Sequence, residues 1–315
     1  MATLSAQPGE AGDFYGHGTA ALVIAERADR ARAANEALSL AGVRAAGEVD
    51  FSGALARLDG PLSEDVILIE AEGASDDALE LVLLRVEALA EASGVRVIAA
   101  IAEDQIDLAA AQLLGQRRQL LCRPGIAELV GALAMTKQAG PARFHQPGAE
   151  AESERLLRLN EEVARIADTL ARLSRGEDTE RRKGVRASGT GYRGSNDGEE
   201  EVTAQEIRTV IRSRRLRAQF FEGELFADPA WDMLLDLFAA DLERRRVSVS
   251  SLCIAAAVPP TTALRWISTM HDAGLFERHA DPSDRRRAYI ALSAKGLEGM
   301  RGYAASAKRQ GLSLV

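Results

Sequence analysis

The residues "DPSDRRRAYIALSAKG", 281 to 296, place three consecutive arginines, Arg285, Arg286 and Arg287, in a polar turn between two runs that alternate as strands do. Just before them, "PPTTALRWISTM", 259 to 270, sets Thr261, Thr262 and Arg265 on one side of a helix that begins at about Thr261, with Pro260 just ahead of them and Ser268 a turn later as further candidates for the same face. Short hydroxyls and a long guanidinium fork on the first turns of a helix are the groups that read base edges in a major groove. Guanidinium groups at a hairpin tip suit phosphate oxygens and the negative potential of a narrow minor groove. Plainer readings stand beside these: Arg265 in a surface salt bridge, and the arginine turn as a solvated charged loop. Leu264, Ile267 and Met270 share the opposite stripe and are expected to pack inward, with Trp266 beside them as a helix contact rather than a stacking platform.

The neighbouring sequence supplies a scaffold for these groups. "TAQEIRTVIRSRRLRAQFF" reads as a helix capped by Thr203 with Glu206 three residues on, the capping-box spacing. "DPAWDMLLDLFAADLERR" starts a second helix with Asp228 as N-cap and Pro229 at the first helical position. A short helix over 249–257, a Pro-Pro break, a helix from about Thr261 to Asp272 stopped by Gly274, and a hairpin of "LFERHA" and "AYIALS" follow. Helix, tight turn, helix and basic hairpin is the winged helix-turn-helix order.

The segment "SVSSLCIAAAVPPTTALRWISTMHDAGLFERHADPSDRRRAYIALSAKG" resembles the DNA-binding core of MarR-type winged-helix transcription regulators. The pieces that carry the resemblance are the threonines opening the recognition helix, "AGLFER" ahead of the wing, the Asp-x-Arg pattern at Asp284 and Arg286, and "LSAKG" after it. It implies double-stranded DNA as partner and a homodimer on a two-fold site. It also implies that Asp284 pins an arginine, Arg286, so that Arg285 or Arg287 points outward. The outer helices of that family dimerise, and Ile207, Val210, Ile211, Phe220 and Phe221 offer apolar material for a subunit contact or simply for core. Arg212, Arg214, Arg215 and Arg217 wrap around the same helix and suit DNA backbone contact or solubility alike.

From Ala20 the sequence alternates short apolar runs ("AALVIA", "VRAAGEV", "DVILIEA", "VRVIAAIA", "RQLLCRP") with helical ones, the pattern of a parallel sheet covered on both faces. The expected fold is multidomain: a doubly wound five-stranded α/β domain, a short coiled-coil helix, and a C-terminal, mainly α winged helix-turn-helix. Five βα units with Arg-Pro after the fifth strand resemble a response-regulator receiver. That resemblance implies a pocket at Ala25, Glu26, Glu70, Ile101 and Arg123, where a working receiver carries paired acids, an acceptor aspartate, a hydroxyl and a lysine. Glu70 stands for the aspartate, Arg123 for the lysine, and no Ser or Thr occurs between Gly94 and Met135. Magnesium binding without the paired acids is expected to be weak, so the reading is a degenerate receiver that works without phosphorylation, metal or cofactor. A Glu70–Arg123 ion pair would hold it in one state; an Arg123 pointing to solvent is the alternative. Such a domain would dimerise, or bind a protein partner or small ligand at the carboxyl ends of its strands.

Between the two parts, Leu156, Leu159, Val163, Ile166, Leu170 and Leu173 recur at spacings of three and four, which suits a parallel two-stranded coiled coil or one amphipathic helix packed on its own domain. The expected organisation is a disordered 1–18, α/β domain 19–140, dimerisation helix 150–174, flexible linker 175–203, winged helix 204–303 and tail 304–315. The 315 residues carry a formal net charge of −8, concentrated in the first half, and a net-negative chain still binds polyanions through a locally basic face. A Gly-rich phosphate loop, a GxSxG elbow and a His cluster are missing, so an enzyme is not expected. Cys122 and Cys253 lie in apolar runs and read as small buried hydrophobes. With no signal-type N-terminus and no long apolar run, a soluble, cytoplasmic protein without membrane contact is expected.

Overall fold

The computed structural model describes residues 18–138, 202–221 and 226–310. The proposed coiled-coil residues, the linker up to 201, residues 1–17 and the last five residues lie outside the described residues.

The first part is a five-stranded parallel sheet in the order β2-β1-β3-β4-β5, formed by β1 (Ala20–Ala25), β2 (Arg44–Val49), β3 (Val66–Glu70), β4 (Arg96–Ile101) and β5 (Arg118–Cys122). β1 and β3 are buried along their whole length, which is why their sequences run apolar without alternation. Right-handed crossovers put α1 (Ala28–Ala41) and α5 (Ile126–Gln138) on one face, over Ala21, Val23 and Leu68. On the other face α2 (Phe51–Asp59), α3 (Asp76–Ser93) and α4 (Ile106–Gln112) cover Leu22, Ile24 and Ile67. Each such fully buried aliphatic side chain contributes about 1.5–3 kcal/mol. The order reverses between β1 and β3, so the carboxyl ends of these strands flank a crevice.

The second part opens with α6 (Ala204–Leu216), held by the expected capping box: Thr203 Oγ1 accepts from Glu206 N at 3.3 Å and Glu206 Oε2 accepts from Thr203 N at 2.7 Å. α7 (Pro229–Leu242) starts at Asp228, whose Oδ1 accepts from Trp231 N at 3.2 Å. Then come β6 (Val247–Ser248), α8 (Val249–Ala255), α9 (Pro260–Asp272), the hairpin β7 (Phe276–Ala280) and β8 (Ala288–Leu292), and α10 (Ala294–Arg309). The hairpin gains a third strand, because β6 pairs with β8 through Val247 and Ile290. α10 runs past residue 303, the expected end of this domain. Its three glycines hide a helix whose buried face is Gly296, Met300, Ala304 and Ala307. Gly296 is needed there, since a Cβ at that position would overlap the carbonyl oxygen of Leu275.

The two described parts pack as one compact unit. The apolar cluster under α2, α3 and α4 continues without a break into Leu252, Leu264 and Ile267 of the winged helix. No described helix is long and apolar enough to cross a membrane.

Candidate nucleic-acid interface

α9 behaves as its sequence pattern requires. Leu264, Ile267 and Met270 are buried, Trp266 packs against the same core, and Arg265 is exposed. The turn before α9 is closed by Ala257 in the left-handed region at φ +55°, a conformation that usually calls for glycine. On α6, Ile207, Val210 and Ile211 belong to the core, whereas Phe220 and Phe221, past the end of the helix, are exposed. Two of the arginines at the end of α6 serve structure: Arg214 Nε donates to Asp232 at 2.6 Å, and Arg215 Nη2 donates to the Ala255 carbonyl at 3.3 Å.

The wing tip is shaped chiefly by Asp281, which the sequence reading passed over. Its carboxylate accepts from Ser283 N at 2.8 Å, Ser283 Oγ at 2.7 Å and the Tyr289 hydroxyl at 2.7 Å. The Ser283 hydroxyl, its backbone N–H and the Tyr289 hydroxyl hold this carboxyl well below the usual range. Asp284 also structures the turn, but differently from the expectation. Its Oδ1 accepts from the backbone N–H of Arg286 at 3.0 Å, and its Oδ2 lies 3.5 Å from Arg287 Nε. The side chain it holds is therefore that of Arg287; Arg285 and Arg287 are exposed.

The guanidinium of Arg286 instead reaches α3. Its Nε donates to Glu80 Oε2 at 3.0 Å and its Nη2 donates to Asp77 Oδ1. Other groups of the reading face are engaged the same way. Thr261 Oγ1 accepts from Cys122 N at 2.9 Å and donates to Cys122 O at 3.2 Å, so the first turn of α9 sits on the outer edge of β5. Ser268 Oγ lies 3.5 Å from the Gly115 carbonyl. Asp107 of α4 accepts from Ser250 N at 2.9 Å and from Ser250 Oγ at 2.6 Å. Arg278 Nη1 donates to Ala111 O at 2.6 Å, closing the C-terminal carbonyls of α4, and Gln112 Nε2 donates to Arg285 O at 3.2 Å. Of the expected DNA-reading residues, Pro260, Thr261, Thr262, Ser268 and Arg286 are half-buried, whereas the side chains of Arg265, Arg285 and Arg287 are exposed.

At the carboxyl ends of the strands, β-sheet register brings Ala25 beside Glu70 and Ile101 beside Cys122. Ala25 and Ile101 are buried, and Glu26 is exposed, its Oε2 accepting from Phe51 N at 3.4 Å. Glu70 is 3% exposed, and burial pushes its carboxyl up to about 7 despite Arg30 nearby. The expected Glu70–Arg123 pair gives way to another: Arg123, at φ +45° and exposed, lies 3.6 Å from Glu103, and the charges acting on Glu70 are those of Arg30 and Glu72. Arg123 leaves the sheet in a left-handed conformation, which turns its side chain toward the loop after β4. Gln105, unforeseen from sequence, ties β3 to β4 by accepting from Ala102 N at 2.9 Å and donating to Ala71 O at 3.1 Å. Beside it, a cleft of about 510 Å³ opens between Arg30, Glu72, Asp104 and Arg123. Cys253 is buried and its thiol is pushed up to about 12, first by desolvation and then by Asp107, which keeps it a neutral core group.

No family model matches the chain, and no curated protein does. Solved structures resemble about a third of it. The Staphylococcus aureus MepR–DNA complex matches at 15% identity, covering 34% of this chain and 83% of that one, with a TM-score of 0.25. The transcriptional regulator Tm0710 from Thermotoga maritima matches at 18% identity, covering 34% and 70%, with a TM-score of 0.23. The transcriptional regulator PA4135 matches at 18% identity, covering 33% and 75%, with a TM-score of 0.24. These likenesses concern fold alone, and the functional reading rests on the site itself.

Proposed function

We propose that the chain is a cytoplasmic, sequence-specific DNA-binding transcription regulator, without enzymatic activity, that binds operator DNA as a homodimer through its winged helix. The observation that carries this reading is the position of the exposed guanidinium groups: Arg265 on the outer side of α9, and Arg285 and Arg287 at the wing tip. A helix that inserts into a major groove and a wing that lies over the flanking backbone need cations at these two places. The α/β domain, with Glu70 buried and Ile101 where a hydroxyl would stand, serves dimerisation or input without phosphorylation. Genomic fragment selection with purified protein tests the proposal. A two-fold motif is expected, with Arg265→Ala relaxing base preference within each half-site by about 1–3 kcal/mol. Failure to enrich any motif counts against it.

A second reading is favoured by the engagement of Thr261 and Arg286 with the α/β domain. In it the chain is a signalling interaction protein whose receiver-like domain docks a protein partner, and DNA binding is weak or architectural. Enrichment of duplex without a motif, together with equal binding by wild type and Arg265→Ala, is the outcome that reading expects.

A further inference from the structure

We infer that the face made by α3, α4 and β5 is a built-in competitor for DNA, holding the recognition helix and the wing in a form that must open before an operator is read. The inference rests on the DNA-binding reading above and concerns the regulation of that same site.

The major groove is about 12 Å wide and admits a helix with little to spare. The first turn of α9, which must face base edges, is joined to the backbone of an edge strand through both hydrogen bonds of Thr261. That turn meets β5 or a groove, and the two occupy the same space.

Charge points the same way. A planar guanidinium pairs with a carboxylate and with a phosphate through the same fork. Asp77 and Glu80 present two carboxylates to Arg286 at the place where a wing arginine would meet phosphate oxygens. They are the acidic stand-in for the ligand, carried on the half of the chain where the negative charge is concentrated.

The strength of the contact suits a reversible device. Asp77 is 79% exposed and Arg286 42% exposed, so water screens this ion pair and leaves it readily exchanged. The Asp107–Ser250 and Thr261–Cys122 hydrogen bonds are partly buried, and each adds a modest net stabilisation. These polar contacts occupy the groups of the candidate face, and a polyanion that offers many contacts at once competes for the same groups. The apolar continuity under α8 and α9 sets the rest position.

The test uses the full chain, a labelled duplex carrying the selected motif, and two readouts. The isosteric variant Asp77→Asn, Glu80→Gln, Asp107→Asn removes charge from the α/β side without touching any DNA-reading residue. Asp77→Lys with Glu80→Lys is a second variant that repels Arg286 from exposed positions. By fluorescence anisotropy both are expected to bind the duplex about tenfold tighter than wild type, because a larger share of molecules is open. By hydrogen exchange, the Cys122 amide is expected to be protected in free wild type and to exchange faster when the duplex is bound. Equal affinity of all forms, with Cys122 protection unchanged by bound DNA, overturns the inference while leaving the DNA-binding reading intact. No duplex binding by any form, with Cys122 protection already lost in the variants, overturns the DNA-binding reading instead.

Discussion

The Thr261 hydroxyl and the backbone of Cys122 exchange two hydrogen bonds, at 2.9 and 3.2 Å, across 139 residues of sequence. One side chain thereby satisfies both outward-facing polar groups at the end of an edge strand, which would otherwise be left for water or for another strand. The residue that does so is one whose position on a recognition helix would put it against base edges. On the proposed DNA-binding reading, docking and base contact would draw on the same atom.

Thr261→Val keeps the branched shape and removes the hydroxyl. The Cys122 N–H and C=O then lose their partner at a half-buried place, at a cost of about 1–3 kcal/mol to docking. Hydrogen exchange at the Cys122 amide is expected to accelerate by about tenfold or more, with the melting of the α/β core unchanged. An unaltered rate would mean that the edge of β5 is covered by something other than this threonine.

Glu70 gives the α/β domain a pH dependence. Its folded carboxyl titrates at about 7 against an ordinary value of 4.5, because burial disfavours the charge. The folded state then binds a proton that the unfolded state has released, so stability is greatest below pH 4.5 and falls as pH rises toward 7. The loss amounts to about 3 kcal/mol by pH 8. Glu70→Gln is expected to remove this slope, so that the gap between variant and wild type in urea melts changes by about 2.5 kcal/mol between pH 5 and pH 8. Parallel curves at the two pH values would contradict the assignment.

Phosphoryl donors are expected to leave the same residue untouched. Glu70 is buried with no hydrogen-bond donor among the described residues, Ile101 stands beside Cys122 where a receiver carries its hydroxyl, and Arg123 is turned to Glu103. Intact-mass measurement after acetyl phosphate treatment should show no added phosphoryl group on Glu70 or on a neighbouring aspartate.

Ala257 is held at φ +55°, where an L side chain costs roughly 1–2 kcal/mol and glycine costs little. Ala257→Gly is expected to stabilise the winged helix by about 1 kcal/mol, read as a higher denaturation midpoint at an unchanged slope.

The elements themselves were largely legible, for local reasons. Fully buried strands write continuous apolar runs, and the ends of α6 and α7 are marked by Thr203 with Glu206 and by Asp228 with Pro229. α10 was missed because Gly296, Gly299 and Gly302 look like breakers, whereas Gly296 is demanded by a close neighbour, the carbonyl of Leu275. β6 is two residues long and takes its identity from β8, so it has no pattern of its own. The reading face was legible as chemistry but not as contact. Asp107 meets Ser250 across 143 residues and Asp77 meets Arg286 across 209, and no periodicity couples positions so far apart. In the wing, the resemblance to MarR-type regulators implied a side-chain pair between Asp284 and Arg286. The turn geometry instead gives the backbone of Arg286 to Asp284 and frees its guanidinium to cross over to α3.

The central claim is that the exposed wing arginines meet DNA phosphates. The measurement that tests it most directly is the salt dependence of operator binding by wild type and by Arg285→Ala with Arg287→Ala. Each phosphate contact contributes about 0.9 to the slope of log K against log salt concentration, so the double variant is expected to bind more weakly with a slope shallower by about 2. Equal slopes, with affinity unchanged, would contradict the claim and place the wing outside the DNA interface.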